Sequence, residues 1–169
     1  RPTVVPVHHD LLQEAAARGH ELANHSYSHL YDLRDRPASE QQSEIARGEG
    51  AIALVTGRRP VGFRAPGYNI SSELLGICRS RDYLYDSSIF PCPPYYLAKS
   101  AIMLWQQIRG RPSRSSQTPA SNLLAPLNPY RPDRDKIWRP NPDSDMPVEI
   151  PMCLVPGLRL PIIGTSLHL

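Results

Sequence analysis

The sequence has no apolar run near the roughly 20 residues that a membrane-spanning helix needs, so we expect no transmembrane segment. It also has little excess charge: 19 Lys and Arg against 16 Asp and Glu give a formal net charge of +3. That charge is too small and too scattered to indicate a nucleic-acid partner. The 10 glycines follow no triplet period, which excludes collagen.

Cysteine is scarce as well. Cys78, Cys92 and Cys153 lie far apart and form no CxxC pair, which argues against a disulfide scaffold and against a cysteine zinc site. We expect isolated thiols in a reducing compartment. No charged leader followed by a long apolar stretch is visible at the start, which predicts a cytoplasmic protein. The first residue is Arg1, so we expect the chain to begin inside a fold.

Proline is abundant, at 19 of 169 residues, which is about twice the usual share. The length, with 40% hydrophobic and 21% charged residues, predicts a single globular domain over 1–169. Eight of the prolines fall between Pro112 and Pro147, among arginine, serine and aspartate. Such a stretch cannot sustain a helix and is expected to bury little, so we predict a long excursion or lid there.

Helical patterns alternate with short strand-like runs. The first helix is expected to open at Asp10 as its cap and to stop at Gly19, with a buried stripe of Leu11, Leu12, Ala15 and Ala16. The second is predicted over 39–55, capped by Ser39 and Gln42 and followed by Gly57. A third starts at Ser71 or Ser72. Gly48 and Gly50 should each cost the second helix about 1 kcal/mol.

The strand-like runs are 4–7, 21–24, 61–63, 83–85, 148–150 and 158–163. Strands that alternate with helices predict an α/β fold with a parallel sheet or barrel. Such folds place their functional sites at the carboxyl ends of the strands. Polar motifs that follow strand candidates are therefore the first places to look for chemistry.

One such motif is the segment 19–29, GHELANHSYSH. On one helical turn the imidazoles of His25 and His29 would face the same side and could bind one metal ion. Surface histidines also reach this spacing by chance, so two ordinary histidines are an open alternative.

The second motif is the segment 62–68, GFRAPGY. Arg64 would lie at a strand end before a proline turn, where a guanidinium can orient a carboxylate or polarise an anion. A structural arginine packed on the turn is the alternative. Because both motifs follow strand candidates, they favour one shared site.

Together these segments resemble a known family, the NodB-type polysaccharide deacetylases of carbohydrate esterase family 4. The segment 19–29 is similar to their second motif, and FRAPGY at 63–68 is similar to their third. YDSSIFP at 85–91 and EIP at 149–151 resemble, more weakly, segments of bacterial members. The resemblance covers roughly residues 10 to 165.

The resemblance implies a distorted (β/α) TIM-like barrel and hydrolytic removal of N-acetyl groups from a polysaccharide or other glycan. It implies a divalent metal, usually zinc, held by an aspartate and two histidines, which map to His25 and His29. The metal polarises the acetamide carbonyl and lowers the pKa of its bound water to about 7. The resemblance also implies that Arg64 orients the catalytic base and that Pro66 and Tyr68 contact substrate.

The sequence also departs from the family. Its first motif, which supplies the catalytic and metal-binding aspartates, has no match before His25, and the cluster of His8, His9 and Asp10 is interpreted as a solvated helix start. His168 is a weak candidate for the catalytic acid because it lies at the end of the chain. We therefore expect an incomplete barrel, weak metal affinity and little turnover by this polypeptide alone.

Three alternatives stay open: a deformylase of a lipid-linked amino sugar, a catalytically silent carbohydrate-binding remnant, and a proline-rich interaction protein. Trp105 and Trp138 are expected to be buried anchors or groove walls. Asp86 is expected to hydrogen-bond the turn that it begins, and the role of Glu149 is open.

Overall fold

A computed structural model of the chain describes residues 9–111 and 118–162. Within these ranges the helices are α1 (His9–Ala17), α2 (Ala38–Thr56), α3 (Ser72–Ser80) and α4 (Pro93–Ile108). The strands are β1 (Gly62–Phe63), β2 (Tyr85–Asp86) and β3 (Val148–Glu149). Short 3-10 helices cover Leu33–Asp35, Pro66–Tyr68 and Ala120–Leu124.

The three strands form a parallel sheet in the order β1-β2-β3. Phe63 is opposite Asp86, and Asp86 is opposite Glu149. Asn24 adds a parallel bridge to Phe63 on the outer side of β1, which is all that forms of the strand expected over 21–24. Tyr130 pairs antiparallel with Glu149 on the other side. The predicted α/β class with a parallel sheet is confirmed.

The helix boundaries follow local chemistry. The Ser71 side chain accepts a hydrogen bond from the Leu74 backbone nitrogen at 3.2 Å, so the predicted cap of α3 is confirmed. The predicted cap of α2 is wrong, because the helix already begins at Ala38 and Ser39 lies inside its first turn. Its end is confirmed at Gly57, whose φ of 70° is a left-handed conformation that glycine adopts without strain.

The predicted cap and the predicted buried stripe of α1 are both wrong. The helix begins at His9, so Asp10 lies within the first turn rather than before it, and its side chain is exposed. No residue of α1 is buried, and Leu11 is 62% exposed. The apolar stripe stays partly open because α1 packs against α2 and not against the sheet.

The main core lies between the sheet, α2 and α3, around Phe63, Ile45, Leu74, Leu75 and Ile89, all at most 1% exposed. The proline-rich region also contributes to it with Ala125, Tyr130, Ile137 and Met146. The expectation that this region buries little is therefore wrong for residues 118–147. The backbone of this proline-containing region still forms antiparallel bridges. Tyr130 pairs with Glu149, and Pro132 pairs with Pro140.

Helix α4 was not anticipated from the sequence. Pro93 and Pro94 occupy its first positions, where proline lacks only a hydrogen that the helix does not use. Trp105 is 53% exposed and is not a buried anchor, whereas Trp138 packs against the core. The strand expected over 158–163 is a turn with a single bridge between Leu154 and Pro161, and residue 163 lies outside the described ranges.

Cys78 and Cys92 are buried free thiols and Cys153 is an exposed one, which confirms the expectation of isolated cysteines. Among the helices in the described ranges, none combines the length and apolar character needed to cross a bilayer.

Candidate active site

The two histidines of the first motif lie in an irregular loop that follows Asn24. Ser26 and His29 have φ angles of 63° and 55°, so the segment is not the helical turn that the spacing predicted. The loop nevertheless brings the rings of His25 and His29 to a centroid distance of 4.8 Å at an angle of 72°. The expected proximity is confirmed, although its geometric reason was wrong.

Two hydrogen bonds fix the shape of this loop. The Ser28 backbone nitrogen donates to the carboxylate of buried Glu44 at 2.7 Å, and the His29 nitrogen donates to Ser26 Oγ at 3.1 Å. Helix α2 supplies Glu44 and also Gly48, where an added Cβ would lie 2.4 Å from Asn24 Oδ1 and 3.1 Å from the Ser26 carbonyl carbon. Helix α2 therefore supports the histidine loop through close contact that only glycine allows.

His25 is held in one tautomer. Its Nδ1 lies 2.7 Å from the carbonyl oxygen of Arg64, which can only accept, so Nδ1 carries the proton and Nε2 keeps its lone pair. Partial desolvation is the largest cause that lowers the pKa of His25, and the nearby His29 and Arg64 lower it further. A neutral imidazole whose other nitrogen donates to a carbonyl is typical of a metal ligand.

Arg64 is anchored by the chain that follows β2. Its Nε donates to the Ser87 carbonyl and its Nη2 donates to Ser87 Oγ, both at 2.8 Å. Ser87 Oγ in turn donates to the Ile150 carbonyl at 2.8 Å, beyond the end of β3. The guanidinium is therefore held at the carboxyl ends of three neighbouring strands, beside the carbonyl that orients His25.

Comparison with known proteins shows what this part of the chain is similar to. Residues 3–85, which include both histidines and Arg64, match the polysaccharide deacetylase family. The match covers just under half of the chain, and we call residues 3–85 the deacetylase segment. The deacetylase segment contains the second and third motifs on which the resemblance was based.

Two individual proteins show the extent of this similarity. The peptidoglycan deacetylase-like protein FGM2 of Gibberella zeae is 35% identical over 71 residues, which are 42% of this chain and 21% of its own length. A crystal structure assigned as a polysaccharide deacetylase from Mycobacterium smegmatis shares the fold, with a TM-score of 0.55 at 21% identity. That alignment covers 94% of this chain and 43% of the other.

A family 4 carbohydrate esterase from Streptomyces lividans, solved with acetate, is 26% identical with a TM-score of 0.45, over 49% of this chain and 42% of its own. Its structural similarity is too low to add to the fold assignment. The chain spans less than half the length of each of these relatives.

The third motif of the deacetylase segment ends in a tight turn. Pro66 is buried at the start of a 3-10 helix, and Tyr68 has a φ of 61°. The Tyr68 ring lies 5.1 Å from the Phe90 ring and 6.0 Å from the Tyr95 ring, as measured between centroids. Tyr68 thus belongs to a second, smaller aromatic cluster, and the role of Pro66 and Tyr68 in substrate binding stays a prediction.

Sequence reasoning missed a pair of buried carboxyl groups below Arg64. Asp86 and Glu149 are 0% and 1% exposed and are direct neighbours in the parallel pairing of β2 and β3. Asp86 accepts from Ser88 Oγ at 2.7 Å, which partly agrees with the predicted turn contact, and Glu149 Oε1 accepts from the Ile89 nitrogen at 2.9 Å. Asp86 directly follows the strand-like run 83–85 and Glu149 lies within the run 148–150, and this was the available sequence signal.

Burial of two adjacent carboxyl groups favours a single proton held between them. Burial is the largest cause that raises the pKa of Glu149 well above its usual range, and the charge of Asp86 raises it further. Burial also raises the pKa of Asp86, while the hydrogen bond from Glu149 and the charge of Arg64 oppose that rise. We therefore assign the proton to Glu149, which donates it to the Asp86 carboxylate. The two carboxyl groups hold residues 88–89 and, through them, the Ser87 anchor of Arg64.

The described part of the chain adds no other sequence candidate to the site. On α1, His9 Nδ1 lies 3.8 Å from Asp10 Oδ1. His8 and His168 lie outside the described residues. In residues 9–111 and 118–162, no three His, Cys, Asp or Glu side chains come together as a metal-binding group.

A cavity of about 260 Å³ adjoins both histidines and is lined mainly by apolar residues of α2 and of the loop before it. A larger cleft of about 670 Å³ lies between α1 and residues 58–61 and includes neither His25, His29 nor Arg64.

Proposed function

We propose that this chain provides the histidine and arginine side of a metal-dependent hydrolase that removes N-acetyl groups from a polysaccharide or other glycan. The observation that supports this proposal is the pairing of two adjacent imidazoles, one with its Nε2 lone pair fixed, beside an anchored arginine. All three lie at the carboxyl ends of parallel strands in a deacetylase-family segment.

His25 and His29 are the residues that would hold a divalent cation, for which zinc is the expected metal. A neutral imidazole oriented by a carbonyl is a donor that zinc prefers. When bound, such a cation supplies Lewis-acid polarisation of the amide carbonyl and a water of lowered pKa. The Arg64 carbonyl, by fixing the tautomer of His25, keeps the free nitrogen directed away from the backbone.

The residues of the chain itself have distinct roles in this proposal. The Arg64 guanidinium, fixed by Ser87, provides a positive charge that would orient a carboxylate or an anionic group at the strand ends. The half-buried ring of Tyr68 would form one wall for the sugar, and buried Pro66 would contribute by fixing the turn that carries it. The geometry does not distinguish an acetyl from a formyl group, so a deformylase of an amino sugar is the close alternative.

A catalytically silent carbohydrate-binding role is favoured by one observation. Among the described residues, no carboxylate joins His25 and His29 to complete a three-ligand set. Two imidazoles alone give a weak site, and attack on an amide also needs a base. We therefore expect weak metal affinity and little acyl release from this chain by itself.

Zinc titration is the direct test of the site. We expect His25→Ala and His29→Ala each to weaken Zn²⁺ binding by about tenfold or more, because each removes one of two ligands. His20→Ala is the matched control, since His20 is an exposed histidine of the same segment and lines the cleft that includes neither His25 nor His29. Competition with a chromophoric chelator measures affinity, and the zinc-dependent rise in melting temperature measures it independently.

Equal zinc affinity of all three variants would contradict the ligand assignment. Acetate and formate release from N-acetylated and N-formylated amino sugars then separates the chemical alternatives. Binding of zinc and of glycan without release of either acid would favour the silent carbohydrate-binding role over the hydrolase.

A further inference from the structure

Helix α4 presents an apolar stripe to solvent. Five positions recur at spacings of one, three and four residues, which places them on one face of the helix: Leu97, Ala101, Leu104, Trp105 and Ile108. Their large side chains are 73% exposed at Leu97, 59% at Leu104, 53% at Trp105 and 76% at Ile108. No residue of α4 is buried. Surface helices ordinarily turn such a stripe toward the core.

The opposite side of the helix is the one that faces the protein. The Tyr95 and Tyr96 rings lie 4.9 Å and 6.4 Å from the Phe90 ring, as measured between centroids, in the aromatic cluster that also contains Tyr68. Tyr96 and Lys99 line a small cavity together with Thr118 and Leu123. The orientation of α4 is thus fixed by its polar and aromatic side, which leaves about 18 Å of apolar face outward.

The chain around this stripe carries charge of one sign. Residues 87–132 contain no Asp or Glu but contain Lys99, Arg109, Arg111, Arg114 and Arg131. Arg109 and Arg111, at the end of α4, are both exposed, and the Arg109 guanidinium lies 4.0 Å from the Trp105 ring centroid. An aromatic ring beside arginines at the edge of an apolar stripe is typical of helices that lie in a membrane interface.

We infer that α4 binds the surface of an anionic lipid bilayer, with its apolar stripe among the acyl chains and its arginines among the headgroups. Charge complementarity selects this partner. A second copy would offer the stripe the same segment without Asp or Glu and with Arg109 and Arg111 at the helix end, whereas anionic headgroups supply negative charge. The interaction is peripheral: one helix face lies on the bilayer and does not span it.

Vesicle binding tests the inference on the whole chain. We expect the protein to co-sediment with phosphatidylcholine vesicles that contain phosphatidylserine, more weakly with pure phosphatidylcholine, and less as salt rises. Trp105 should enter the interface, so binding should shift tryptophan emission to shorter wavelength. Trp105→Phe should abolish that shift while Trp138 stays in place.

Paired variants locate the surface. Leu104→Gln with Ile108→Gln should weaken binding to phosphatidylserine vesicles by about tenfold or more, because two exposed apolar side chains lose their insertion. Leu54→Gln with Leu84→Gln is the matched control, since Leu54 and Leu84 are 79% and 64% exposed outside α4, and we expect it to bind like the parent.

The inference is overturned by the absence of binding to phosphatidylserine vesicles, or by equal binding of both double variants. It is also overturned by light scattering that shows a dimer which dissociates only in the α4 double variant, because the stripe would then be an interface between copies. None of these outcomes depends on deacetylase activity or on metal binding.

Discussion

Glu149→Ala is expected to lower the free energy of unfolding by about 3–5 kcal/mol, as measured by urea denaturation followed by circular dichroism. The change removes the donor to the buried Asp86 carboxylate and the acceptor of the Ile89 backbone nitrogen. An unpaired buried charge is among the most costly defects that a single substitution can create. Glu14→Ala, which removes an exposed acid paired with Arg18, should cost at most about 0.5 kcal/mol.

Glu149→Gln distinguishes the effect of the proton on stability from the effect of side-chain packing. The amide can donate to Asp86 and accept from Ile89, so this variant should fold even if the alanine variant does not. In the parent, the raised pKa of Glu149 means that the native state keeps a proton that the unfolded state releases above about pH 4. The contribution of Glu149 to the free energy of unfolding is therefore complete below that pH, and it falls as the pH rises toward the folded-state pKa of Glu149.

The glutamine variant should show a shallower fall of unfolding free energy with pH, because residue 149 no longer titrates. Arg64, Tyr130 and Cys78 also face the carboxyl pair and are unchanged in this comparison. Identical pH slopes for the parent and Glu149→Gln would show that Glu149 does not hold the proton.

Gly48→Ala should destabilise the chain by about 1–3 kcal/mol, although alanine is the better helix former. The new methyl group would meet Asn24 Oδ1, and Asn24 cannot turn away because its Nδ2 donates to the Ile45 carbonyl and to the Tyr83 hydroxyl. It would also press on the Ser26 backbone. The histidine loop should then shift, so zinc affinity should fall together with stability.

Gly50→Ala is the control for this effect. Gly50 lies in the same helix, but an added Cβ there has no heavy atom within 4 Å. We expect this change to stabilise the chain by about 0.5–1 kcal/mol through helix propensity and to leave zinc binding unchanged. If both variants gain stability equally, the close contact between α2 and the histidine loop is not a constraint.

Some helix ends could be predicted from local sequence alone. Ser71 and Gly57 mark helix ends through interactions within a few residues, so they were predictable. Helix α4 was missed although its apolar residues at 97–108 recur at helical spacing, and the structure leaves that apolar face exposed. The contribution of Tyr130 and Ile137 to the core depends on a distant pairing with β3, which no local pattern indicates.

The site was predictable to a similar degree. The resemblance identified His25, His29 and Arg64, and the structure places them together at the strand ends. The prediction that His25 and His29 lie on one helical turn was wrong, because Ser26 and His29 adopt left-handed backbone conformations. The link between Asp86 and Glu149 could not be seen, since 63 positions separate them and only the register of β2 and β3 makes them neighbours.

The antiparallel partner of β3 also limits how the sheet can grow. Tyr130 bonds to both backbone groups of Glu149 and runs against the direction of the three strands, so it ends the parallel array on that flank. On the opposite flank Asn24 pairs in parallel with Phe63, so parallel pairing continues there up to the residue immediately before the histidine loop. The imidazoles therefore lie at the flank of the sheet where the parallel direction is kept, and Arg64 lies between them and the antiparallel flank.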